Sequence, residues 1–130
     1  MHSHMMKLEY LFEGSDDCPL IRIYGGVPKD YSHLIGIIDD LLNERKKSIY
    51  LNDKKTYKPI NDMKLEFVLS STNIGITEVA NSDFKCSLTK EGWSKVRQLI
   101  LPFLNEHRSM HQWLDETSNI SLLLTDTGKW

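Results

Sequence analysis

From Pro28 to about Lys47 the apolar residues Leu34, Ile37, Ile38, Leu41 and Leu42 recur at spacings of three and four, which places them on one face of an α-helix. A helix with one apolar face must lay it on another element, so this pattern constrains the whole chain. Pro28 suits the first turn, where its missing N–H would be unpaired anyway, and Asp30 adds negative charge beside the positive helix end. Arg45, Lys46 and Lys47 read as cations of the last turn, complementing the dipole.

Both flanks carry the other period. In "KLEYLFEG", residues 7–14, Leu8, Tyr10 and Phe12 fall on one side with Glu9 and Glu13 around them, a period of two that predicts a strand. After a turn at Ser15, Asp16, Asp17 and Pro19, "LIRIYGG" predicts a second, able to pair with the first as a hairpin. Beyond the helix, "SIYLND" reads as a short strand and "KKTYKPINDM" as a loop. "KLEFVLS", "GITEVA" and "FKCSLT", separated by "SSTN" and "ANSD", predict a meander of three antiparallel strands.

Thr89 is placed to cap a second helix, with Trp93, Val96, Leu99, Ile100 and Phe103 or Leu104 as its buried stripe. Pro102 removes a backbone donor, so a bend near residue 100 and an end by His107 are expected. "HQWLD" and "ISLLL" then form a hairpin. With Leu122 and Leu124 facing one way and Leu123 the other, the last strand belongs inside a sheet or under cover on both faces. The order of elements predicts an α+β fold, an antiparallel or mixed β-sheet with two main helices packed on it, in a single domain over residues 6–130. Residues 1–5, "MHSHM", read as an expression-tag remnant.

The chain has 130 residues, long enough for one hydrophobic core, with a net charge of −2 and a mean hydropathy of −0.38. This balance gives no basic footprint for nucleic acid, and no apolar run reaches the length of a membrane span. With no secretory segment in view, the cytoplasm is the expected compartment, and Cys18 and Cys86, which follow no metal or redox spacing, are expected as buried free thiols.

The stretch that looks most like chemistry is "NEHRSMHQWLDET", residues 105–117, where His107 and His111 lie four apart among acids. Such a pair ligates zinc when a third ligand exists, but Arg108 stands where a metalloprotease helix has its glutamate. Nor do the serines sit in a Gly-x-Ser-x-Gly elbow, and Gly25-Gly26 lacks the spacing of a phosphate-binding loop. No cofactor and no metal are implied. A small enzyme remains an alternative if His33, His107, His111 and nearby acids within 107–116 converge. The same acids serve another use. If Asp39, Asp40, Glu44, Asp115 and Glu116 converge, they make a patch that steers a basic protein, with Trp113 and Trp130 as anchors.

"GSDDCPLIRIYGG" at 14–26, "FKCSLTKEGWSKVRQLILPF" at 84–103 and "QWLDETSNISLLLTDTGKW" at 112–130 resemble a group of small uncharacterised bacterial proteins. In size and acidity the chain is also similar to bacterial toxin-immunity proteins, a likeness of class. That likeness implies a non-catalytic binding module with a protein partner. If residues 105–117 are a seam between helix and strand, His107→Ala and His111→Ala leave the zinc content of the protein unchanged after removal of residues 1–5, whose His2 and His4 could bind metal by themselves. Elemental analysis showing stoichiometric zinc that disappears with either substitution contradicts that reading.

Overall fold

The computed structural model describes residues 6–105 and 110–130. Two helices and nine strands in two mixed sheets share one core. Strands β1 (Met6–Leu11), β2 (Leu20–Tyr24), β3 (Ser48–Tyr50), β4 (Tyr57–Pro59), β5 (Lys64–Leu69), β6 (Gly75–Ala80), β7 (Asp83–Leu88), β8 (His111–Asp115) and β9 (Ser121–Thr125) are interrupted by helices α1 (Pro28–Leu42) and α2 (Lys90–Ile100). One sheet has the order β4-β1-β2-β9-β8 and the other β3-β5-β7-β6. The α+β expectation therefore holds.

Helix α1 starts where its sequence says it should. The Asp30 carboxylate accepts from the Val27 N–H at 2.9 Å, satisfying a donor that the first turn leaves free. The helix stops at Leu42, five residues short of Lys47, because Glu44 takes a left-handed conformation at φ 57°. The run Arg45 to Lys47 thus lies past the helix, and Arg45 instead reaches back to Asp40 at 3.1 Å.

In α2, the Thr89 hydroxyl accepts from the Gly92 N–H at 3.1 Å, and the Asn73 side chain in turn holds Thr89 through its N–H at 2.8 Å. Pro102 turns the helix into a 3-10 segment, Leu101–Leu104, which delivers Phe103 against Tyr31 with ring centroids 5.0 Å apart. Trp93, Val96, Ile100 and Phe103 are buried as expected. Leu99 is half-buried and Leu104 exposed.

Three expectations about the strands need correction. β1 ends at Leu11, so Phe12 is 70% exposed rather than packed. The "loop" at 54–63 contains β4, which pairs parallel to β1 through Met6 and Tyr57; a three-residue strand carries too little period to be seen. The meander is absent, because β5 and β7 are parallel neighbours and β6 lies outside β7. Burial explains this order. β7 buries Phe84, Cys86, Ser87 and Leu88 and occupies the interior, whereas Thr77 to Ala80 of β6 are exposed, as an edge tolerates.

The β1–β2 and β8–β9 hairpins form as expected, and β9 lies inside its sheet with Leu122, Leu123 and Leu124 fully buried. One continuous cluster, including Leu8, Ile21, Ile38, Phe67, Trp93 and Leu122, joins both sheets and both helices. Within it Trp93 stacks on Phe67 at 4.6 Å, and its indole N–H donates to the Val68 carbonyl at 2.9 Å. Trp93→Ala should cost about 3 to 5 kcal/mol through lost burial and an unfilled cavity. Denaturant unfolding measures this, and a loss below about 1 kcal/mol contradicts the core assignment.

Candidate binding surface

Strand β8 is an edge whose two faces are used differently. Trp113 faces Leu123, on the outer side of the sheet shared with Arg22; a bulge then intervenes, and Asp115 faces Leu122, on the core side. The extra residue, Leu114, is buried at 5% exposure. The bulge thus lets Trp113 and Asp115, two apart in sequence, point to opposite sides, where a regular strand would align them.

On the core side, β8 and α2 leave a cleft of about 380 Å³ between them. Leu88, Val96, Leu99 and Leu114 make it apolar, while Lys95 stands on the helix wall and Asp115 and Glu116 on the strand wall. Asp115 is held by the Thr117 hydroxyl at 2.6 Å. On the outer side, a second and more open groove of about 690 Å³ runs between Trp113, His111 and Trp130, with Asp17 and Lys129 on its margin. Trp113 borders both.

Residues 127–130 build the far wall of that second groove by folding back over the outer sheet face. Arg22 donates to the Gly128 carbonyl, Thr125 donates to the Lys129 carbonyl at 2.7 Å, and the Trp130 indole donates to Asp17 at 2.9 Å. Arg22 itself is paired with Glu9 and lies 4.1 Å from the Tyr24 ring centroid. Trp130 stays 38% exposed, so its ring is positioned yet available.

The acids singled out in the sequence are not brought together. Asp39 and Glu44 of the α1 region meet Arg97 and Lys90 of α2, each at 2.7 Å, and Asp40 meets Arg45. Hydrogen bonding from Lys90 holds the Glu44 carboxyl below the usual carboxylate range. Lys90 and Arg97 are seven apart on α2, almost two turns, and so share a flank, whereas Gly92, Lys95 and Leu99 line the cleft from the opposite one. Helix α2 therefore separates Asp39, Asp40 and Glu44 from Asp115 and Glu116. Of the seven expected residues, Trp113, Trp130, Asp115 and Glu116 border one continuous region.

The histidines do not converge either. His33 sits 6.4 Å from Tyr57 of β4, and His111 is on β8, the opposite edge of the five-stranded sheet. Four strand spacings of about 4.8 Å separate these edges, roughly 19 Å. His107 lies outside the described residues, and among the described residues no group of three or more His, Cys, Asp or Glu side chains is placed to hold a metal. Cys86 is fully buried, with its thiol pKa raised by burial and then by the Asp115 charge, so it is a poor nucleophile. Cys18 is only half-buried, against expectation.

Sequence reasoning missed Asp17, Lys95 and Lys129. The Asp17 contact joins positions 113 residues apart, with no local signal. Lys95 and Leu99 are an i, i+4 pair, and a face of α2 only partly apolar was the available sign of a cleft rather than core. No protein-family model, curated protein or solved structure matches this chain.

The ion pairs between the helices differ in shielding. Asp39→Ala should cost about 1 kcal/mol because its partly shielded pair with Arg97 joins α1 to α2. Glu44→Ala, at a solvent-exposed pair, should leave the unfolding midpoint in urea unchanged. The reverse ranking contradicts the structural role given to Asp39.

Proposed function

We propose that the protein is a non-catalytic protein-binding module of the cytoplasm, most concretely a toxin-neutralising, immunity-type protein. The observation that carries this reading is Trp113, half-buried where two open grooves meet, with Trp130 across one of them. Tryptophan is the residue type most enriched at binding hot spots, since a ring held by its own fold gives up little freedom on docking. Asp115 and Glu116 beside it, and Asp17 under Trp130, supply negative charge that favours a basic partner and speeds its encounter. Among the described residues no helix is long and apolar enough to cross a membrane, in keeping with a partner met in water.

The test is co-expression with the protein encoded beside this one in its genome, followed by co-purification and titration calorimetry. A complex is expected, weakened by Trp113→Ala about thirtyfold or more, equivalent to roughly 2 kcal/mol. For an immunity-type role, the chain must also relieve the toxicity of that neighbour in growing cells. A neighbour that is neither bound nor toxic overturns the reading.

A further inference from the structure

The backbone polarity of the free β8 edge follows from the bonds that β9 makes. Ser121 donates its N–H to the Pro19 carbonyl at 3.3 Å, and Asp126 donates its own to the Met110 carbonyl at 3.2 Å. Odd-numbered residues of β9 therefore turn their peptide groups toward β2, and even-numbered ones toward β8. Facing residues of an antiparallel ladder alternate between bonded and non-bonded pairs. His111 and Trp113 face Thr125 and Leu123, the non-bonded positions, so their N–H and C=O groups point away from the sheet. The Trp113 carbonyl is met there by the side chain of its own neighbour, Gln112 Nε2, at 3.3 Å. Among the described residues no strand pairs with this edge.

The cleft between α2 and β8 begins at Trp113, one of the two residues with outward-pointing groups, and continues along the strand to Thr117. An edge strand flanked by a helix and an apolar furrow suits an extended peptide, which pairs its backbone with the edge and places alternate side chains in the furrow. Leu88, Val96, Leu99 and Leu114 provide the apolar surface. Two carboxylates, Asp115 and Glu116, stand on the strand side against one ammonium, Lys95, on the helix side. A second copy paired antiparallel through β8 about Trp113 would set Asp115 opposite His111 and leave both carboxylates without a lysine or arginine partner. A segment carrying lysine or arginine would not.

We propose that this cleft binds an extended, apolar and basic segment of a partner protein as an additional strand on β8. The proposal rests on the protein-binding function above and specifies its mode. Five residues of β8 span about 17 Å, so a partner segment of about five to seven residues matches the edge.

A phage-displayed heptapeptide library selected on the full chain tests this, with the enriched peptide then synthesised and labelled for fluorescence anisotropy. Enriched peptides should alternate apolar residues and carry Lys or Arg. Leu99→Arg should weaken their binding about tenfold or more. Lys95→Glu, at an exposed position that leaves the fold intact, should strengthen it. Methylating the peptide amides that face β8 should abolish binding, while methylating the alternate set should not, and saturation should slow amide exchange at His111 and Trp113 about tenfold or more. Failure to enrich any peptide above a protein-free selection overturns the proposal, as does binding indifferent to Leu99→Arg and Lys95→Glu. So does a dimer of the chain alone that Leu99→Arg dissociates, which makes a second copy the occupant. A complex with the co-encoded partner that Trp113→Ala abolishes and Leu99→Arg spares overturns strand addition while leaving the binding function intact.

Discussion

The seating of Trp93 is the contact on which the rest depends. Its ring is fully buried against Phe67, and its N–H meets a carbonyl of the same strand, β5, so the indole is satisfied while contributing a large apolar surface. That anchors α2 on the four-stranded sheet. With the helix fixed, one flank presents Lys90 and Arg97 to the acids of α1, and the other presents Lys95 and Leu99 to β8. A shift of α2 by one residue would turn each flank by about 100° and dissolve both arrangements.

What was legible in the sequence follows from how local each signal is. The face of α1, the Thr89 cap, the Pro102 break and the β8–β9 hairpin each rest on residues within a few positions, and each is found as read. Strand order is not local. β5, β6 and β7 were visible as strands, but only the competition for the interior of the sheet decides that heavily apolar β7 sits between β5 and β6. β4 was invisible because Tyr57, buried against α1 and β1, does the work of an element with only three residues.

The site was half legible for the same reason. Trp113, Trp130, Asp115 and Glu116 were visible by type, yet the bulge that sends Trp113 and Asp115 to opposite sides has no signature in "HQWLDE". Asp39 and Glu44 stand in the sequence as candidates for an acidic patch because their cations, Arg97 and Lys90, come from a helix about fifty residues later, whereas Asp40 pairs locally with Arg45. Charge counted along a chain says nothing of pairing across it. The surface left over is aromatic and mildly acidic, lying on a stretch where a sheet edge, a helix flank and the folded-back residues 127–130 meet.

That surface is the centre of the account, and hydrogen–deuterium exchange of the chain with and without its co-encoded partner tests it most directly. Binding there predicts new protection over residues 110–117 and along the 92–99 segment of α2, with the β3 and β4 edges unchanged. Protection confined to β3, β4 or the exposed end of β6, with β8 exchanging as in the free protein, would place the partner elsewhere and contradict the account.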